Sequence, residues 1–397
     1  MFRKRIYGIL IFIVGIIFIG VIAVGFIACF DLFDDINNNN KEYGWYGNVS
    51  ASTFTISNAT QLEELAKIVR GTTGDNGPAQ SYFKGKTVIL SADIDMSGKS
   101  WYGITTSYGL GDLVGFNGTF DGNNKTISGL QANNQGFFGL IGKDGIVKNI
   151  VFVDLKVDGD DGGGGLARVN YGKIQNIIIN GTVSGNPGGV VCFNYGIVEN
   201  CSFSGNITGG SGGGIAVNNF AGGVIRKCYV TGNISGGCGG IVNSNYGTVQ
   251  NCYVICNVTG FNSTGGVVGY NKGIIQNCYA TGNITSDMSN AGGITGSNRG
   301  TVRNCVALNP SINAEMYIGR IGVNADSSSI SINNYGLIEM EMKGRWVYTI
   351  NPNVNGQDGA NVSSVDAATQ DWWITNVNWD FDTIWQWDDS KNLPILR

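Results

Sequence analysis

Histidine is absent from this 397-residue chain, proline occurs only 5 times, and charged residues amount to 14%. Without histidine there is no Ser-His-Asp or Cys-His route to an activated nucleophile and no imidazole for zinc. An enzyme here would have to work with carboxylates, Lys, Tyr or Arg alone. A formal net charge of −4 with few cations gives no basic stripe for a phosphate backbone, so nucleic acid is not an expected partner. Low charge beside 11% aromatic and 42% hydrophobic residues argues against disorder, because there is enough apolar surface to bury a core. The excess lies in glycine, 63 residues without the three-residue period of collagen, which predicts tight turns at regular intervals.

The chain starts with the basic cluster Met1-Phe-Arg-Lys-Arg5 and a nearly unbroken apolar run over residues 6–30. These 25 residues exceed a signal-peptide core of roughly 7–15 and suffice for the ~20 needed to cross a bilayer. The positive flank predicts a cytoplasmic N-terminus with the remainder outside. No polar face interrupts the run, which speaks against a buried core helix. Phe26-Ile-Ala-Cys29 resembles a loose lipobox, with Phe26 where Leu is usual, and makes Cys29 a candidate lipidation site. Uncleaved membrane anchor, lipoprotein and simple secretion are the three outcomes, and all of them export the rest of the chain. Residues 1–33 are read as this signal-anchor segment and 34–49 as a polar linker.

A hexapeptide Gly-x-(Ile/Val)-x-(Asn/Lys)-(Cys/Ile) then recurs seven times at spacings of 24 to 27 residues, from Gly145-Ile-Val-Lys-Asn-Ile150 to Gly300-Thr-Val-Arg-Asn-Cys305. Such a period means stacked units, each too small to bury its apolar face alone. Every unit carries Gly-Gly-apolar (Leu166, Val190, Ile215, Ile241, Val267, Ile294), a turn, the hexapeptide, and an alternating stretch in which Cys201, Phe203 and Ile207 share one parity. Gly and Asn interrupt each run before the ~10 residues a packed helix needs, and a propeller blade needs about 40. The expected fold is all-β: a right-handed parallel β-helix of ~24–27-residue coils, its rungs ~4.8 Å apart. Residues 50–135 are read as an N-terminal cap with first coils, 136–309 as the repeat and 310–397 as degenerate coils and C-terminal cap.

The recurring Asn149, Asn176, Asn200, Asn251, Asn277 and Asn304 predict a column of side-chain amides at a bend, since Asn tolerates left-handed backbone angles. Cys201, Cys228, Cys252, Cys278 and Cys305 share one phase with Ile150 and Ile177, so they read as buried apolar thiols. In-register side chains point in parallel, and disulfides between rungs are not expected. Upstream, Thr60-Gln-Leu-Glu63 reads as a capping box opening a short helix with Leu62, Leu65, Ala66 and Val69 on one stripe. Downstream, Trp346, Trp372, Trp373, Trp379, Trp385 and Trp387 crowd the end. They read as the apolar plug of a terminal cap, with Trp372, Trp373, Trp385 and Trp387 as candidate ligand-facing aromatics under the alternative.

Acidic residues are sparse in the repeat: Asp160, Asp161, Glu199 and Asp287 between residues 160 and 306. Asp93, Asp95 and Asp121 could supply a catalytic carboxylate pair, but nothing in the sequence brings them together. No cofactor, metal site or catalytic residue is expected. Asn-x-Ser/Thr triplets such as Asn206-Ile-Thr208 and Asn233-Ile-Ser235 recur with the repeat.

Gly265-Gly-Val-Val-Gly-Tyr-Asn271, followed by Gly273-Ile-Ile-Gln-Asn-Cys-Tyr-Ala-Thr-Gly282, closely resembles the GLUG-motif repeat of bacterial surface and secreted proteins. Gly293-Ile-Thr-Gly296 matches as well, whereas Cys192, Val217 and Asn243 replace the fourth glycine in other copies. The resemblance implies a cell-surface β-helix. Some such proteins adjoin immunoglobulin-A-cleaving metallopeptidases, but no zinc motif accompanies the repeat here. The expectation is a membrane-tethered, non-catalytic adhesion or display module whose partner is a host or cell-surface protein or a glycan. The alternative is a carbohydrate-binding or carbohydrate-active β-helix.

Overall fold

The computed structural model describes residues 43–71, 80–104, 115–133, 135–159, 162–345 and 349–397. The apolar run 6–30 with Cys29, most of the linker, the pair Asp160-Asp161 and Trp346 lie outside them. Among the described residues no helix is long and apolar enough to cross a bilayer.

The chain winds into an all-β parallel solenoid. One coil shows the plan: strands Ala216–Asn219, Val224–Arg226 and Tyr229–Ser235, joined by turns. Each strand pairs in parallel with the strand one coil before and one coil after. In the middle strands, Val198 faces Ile174 on one side and Ile225 on the other. The column through Val198 runs unbroken from Phe54 in the first strand to Ser331 in one of the last. Strand alternation turns every second residue inward, and the core is the stack of those residues.

Glycine sets how closely the coils approach. A Cβ on Gly214 would lie 2.0 Å from the carbonyl oxygen of Gly240 in the next coil and 2.6 Å from a methyl of Val230. Only hydrogen fits there, which explains the Gly-Gly step before Ile215 and its counterparts, all fully buried.

Two asparagine columns run the length of the repeat. The one at the bend is present as the sequence predicts: Asn149, Asn176, Asn200, Asn251, Asn277 and Asn304 all have φ between 52° and 59°. Amides in this column donate to the preceding coil, as in Asn176 to Asn149 (2.8 Å) and Asn304 to Asn277 (3.2 Å). Lys227 takes the missing position with φ 53°. A second column has no counterpart among the expectations from sequence. Asn170, Asn194, Asn219, Asn245, Asn271 and Asn298 are buried, and each donates to the following coil at 2.8–3.3 Å, ending on Asn324. Burial without those bonds would cost each amide about 1–3 kcal/mol, so the column fixes the register of the coils.

At the N-terminal end, helix Ala59–Arg70 buries Leu62, Leu65, Ala66, Ile68 and Val69 in the core of the first coils. Its cap lies two residues before the expected one. Asn58, not Thr60, accepts from Gln61 N at 3.0 Å, and the Gln61 side chain reaches back to Ser57 N at 2.8 Å. Near the C-terminal end, the buried Arg320 donates to the carbonyls of Gly336 (3.1 Å), Asp358 (3.1 Å) and Gly359 (3.1 Å). The Trp-rich cluster is present near the C-terminus, and its position is informative. Helix Gln370–Val377 and the hairpin Trp385–Asp388 with Leu393–Leu396 lie along the outer side of the solenoid, against Tyr253, Tyr279, Val306 and Leu308.

Candidate functional surface

The buried asparagine column determines which residues stand outside it. The residue after each asparagine turns outward at the corner of the coil, and on successive coils these are Tyr171, Tyr195, Phe220 and Tyr246. Their rings stack: Tyr171 on Tyr195 at 4.7 Å between centroids, Tyr195 on Phe220 at 4.3 Å, Phe220 on Tyr246 at 6.3 Å, all within 11° of parallel. Tyr195 and Tyr246 remain 38% and 41% exposed. Burial, with the neighbouring Tyr195 second, pushes the Tyr171 phenol above its ordinary value. Lys272 and Arg299 continue the same corner in the next two coils. Because the rings cover one another's faces, the ladder presents edges and hydroxyls to solvent.

In the middle strands that follow, the last outward position carries a polar row with hydrogen bonds and ion pairs, while the first outward position carries Ile197, Val224 and Ile274. Glu199 is held between Lys173 (3.3 Å) and Arg226 (2.9 Å). Further along, Gln276 donates to Gln250 (2.6 Å) and accepts from Arg303 (2.7 Å). Burial raises the Glu199 carboxyl, but the hydrogen bonds and charges of Arg226 and Lys173 outweigh it and hold the group below its ordinary value.

A second tyrosine ladder, Tyr229, Tyr253 and Tyr279, stacks at 5.0 and 5.3 Å on another outer face, and the C-terminal segment covers it. Trp385 and Trp373 are fully buried there, so neither presents a ring to a ligand. Trp385 projects from the terminal hairpin and Trp373 from the helix, and both rings pack against Tyr279. Trp372 and Trp387 are half-buried at the margin. Trp373 Nε1 donates to Ala367 O (2.8 Å), Trp379 Nε1 to Asn304 O (3.1 Å), and Tyr279 OH to Pro394 O (2.8 Å). Burial pushes the Tyr253 and Tyr279 phenols well above their ordinary value.

The acids named from sequence do not converge. Asp121 lies in register with Lys148, Gln175 and Glu199 of the polar row, bound to Lys148 (3.1 Å) and to Asn149 of the bend column (3.0 Å). Asp93 accepts from Thr126 N (2.8 Å). Asp95 lines an open cleft together with Asp154 and Lys156. Asp154 escaped sequence reasoning because it sits in a bulge, with φ 55°, that breaks the strand's alternation. Among the described residues no three His, Cys, Asp or Glu side chains are placed to hold a metal ion.

Cys201, Cys228, Cys252, Cys278 and Cys305 form one buried column, and the eight described cysteines are all free and buried. Burial pushes the Cys228 and Cys278 thiols well up, and raises Cys192 and Cys256 to about 12. Such groups are poor nucleophiles and inert packing residues.

The family pattern described as the GLUG motif matches residues 183–208 and 262–285, each segment spanning about one coil. Halomucin of Haloquadratum walsbyi is 33% identical over 79 residues, which is 19% of this chain and 1% of halomucin. The chain therefore spans about 1% of the length of that relative. A Bacteroides ovatus protein, provisionally assigned as an immunoglobulin A1 protease, superposes with a TM-score of 0.46 at 20% identity over 87% of this chain and 92% of that one. The chain thus carries the GLUG motif twice, in coils that stack as a parallel solenoid.

Proposed function

We propose that this chain is an extracytoplasmic surface module, tethered by the apolar run 6–30, that binds a partner without cleaving it. The exposed ladder Tyr171–Tyr195–Phe220–Tyr246 carries the reading: four aromatic rings in register at one corner, with a polar row beside them. A strip of ring edges, phenol hydroxyls, amides and paired charges matches the polar, wet contact of a protein partner. Sugar stacking needs free ring faces, which this ladder uses internally. The carbohydrate-active alternative also loses two of its aromatics to the buried cluster, and the cleft that holds Asp95, Asp154 and Lys156 is open.

Two measurements test the proposal. Protease treatment of intact cells should digest the chain; full protection would refute export. The full chain, screened against glycans and cell-surface proteins, should retain a protein ligand, and Tyr195→Ala with Tyr246→Ala should abolish retention. Release of oligosaccharide from a polysaccharide would establish the alternative instead.

A further inference from the structure

The repeat carries a third asparagine column, and its chemistry differs from the other two. Asn206, Asn233, Asn257 and Asn283 sit on successive coils in register, Asn206 opposite Asn233 and Asn233 opposite Asn257. All four are exposed. Two residues on, each is followed by a hydroxyl: Thr208, Ser235, Thr259 and Thr285. In an extended strand, residues i and i+2 share a face, so amide and hydroxyl point outward together.

This pairing is selective. None of the buried asparagines 170, 194, 219, 245, 271 and 298 has Ser or Thr two positions later, and in the bend column only Asn200 does. It recurs coil after coil on the column whose four members are all exposed; in the bend column only Asn176 and Asn200 are exposed, and Asn200 carries the triplet as well. Asn257 and Asn283 use their side-chain oxygens, accepting from Asn283 N (2.8 Å) and Ser311 Oγ (2.9 Å), which leaves the amide nitrogens toward solvent. Asn233 gives one of its two amide hydrogens to Asn206, over a long 3.5 Å.

We infer that this column is a row of N-glycosylation sites along one edge of the solenoid. The sugar donor is an isoprenoid-phosphate-linked glycan brought by the cell's own transferase. A bond forms between Asn Nδ2 and the anomeric carbon, the carbon–oxygen bond to phosphate breaks, the phosphate leaves on the lipid, and the Nδ2 proton passes to a base of the transferase. The inference rests on the exported location proposed above.

The test is mass spectrometry of glycopeptides from the full chain purified from the cells that naturally make it, alongside protease treatment of intact cells. Peptides containing Asn206, Asn233, Asn257 or Asn283 should carry a glycan, and peptides containing Asn219 or Asn245 should not. Asn257→Gln should remove one glycan mass from a modified site 257, and Thr259→Val, which keeps the asparagine and a β-branched side chain, should remove the same mass. Four unmodified peptides from a protease-accessible protein overturn the inference and leave the exported location standing. A protected, unmodified protein overturns both.

Discussion

Two tyrosine ladders on one solenoid have opposite fates. Tyr171, Tyr195, Phe220 and Tyr246 stack in solvent, while Tyr229, Tyr253 and Tyr279 stack beneath the Trp-rich segment. Both arise in the same way: an outward position repeated once per coil brings like rings together at about rung spacing. The difference lies in what arrives afterwards from a distant part of the chain. Periodicity makes a ladder, and a non-repeating segment decides whether it is core or surface.

The largest effect should come from uncovering the hidden ladder. Trp385→Ala removes a fully buried ring stacked on Trp379 at 4.3 Å and should cost ~3–5 kcal/mol in denaturant unfolding. The same change should lower the titration of Tyr279, followed by phenolate absorbance, toward the ordinary value of ~10. Burial sets the sign, because it raises the folded phenol's pKa. The stability it contributes is complete below ~10 and is lost above, as the unfolded phenol ionises, so the variant should show a shallower loss on the alkaline side.

Next comes the contact that holds both ladders in register. Asn219→Ala breaks the buried amide column between Asn194 and Asn245, and should cost roughly 2–3 kcal/mol. A cost below ~0.5 kcal/mol would show that the column does not set the register. The bend column should be more forgiving. Asn277→Ala places an ordinary residue at φ 53° and should cost about 1–2 kcal/mol, with Asn277→Gly recovering most of it. Smallest is Tyr195→Ala on the open ladder, within ~0.5 kcal/mol by thermal unfolding even as partner binding weakens.

Much of the fold is legible from residues. Recurrence at 24 to 27 residues gives the coils, and exchange of Cys with Ile marks an inward position. Asn at one phase marks the left-handed bend. The buried asparagine column also has a signal, Asn followed by an aromatic or basic residue and then Gly at 170, 194, 245, 271 and 298. That signal is hard to read as burial, because a buried amide is costly alone and only stacking makes it acceptable. The lateral position of the tryptophans has no local signal, since it depends on a match between residues 364–397 and tyrosines more than a hundred positions earlier in the case of Tyr253. The helix cap is ambiguous because Asn58-x-x-Gln61 and Thr60-x-x-Glu63 overlap, and only the backbone of residue 58 separates them. For the surface, position is readable and partner chemistry is not, because a ladder's accessibility is a tertiary property.

The two structural amide columns point in opposite directions: buried asparagines hand their hydrogens forward along the chain, and those at the bend hand them back. Side-chain dipoles of the one column therefore oppose those of the other. In an α-helix aligned dipoles leave opposite partial charges at the two termini, whereas here lengthening the stack adds matched, cancelling pairs. A solenoid wired this way can grow or shrink by whole coils without polarising its tips, which frees its length to vary independently of its electrostatics.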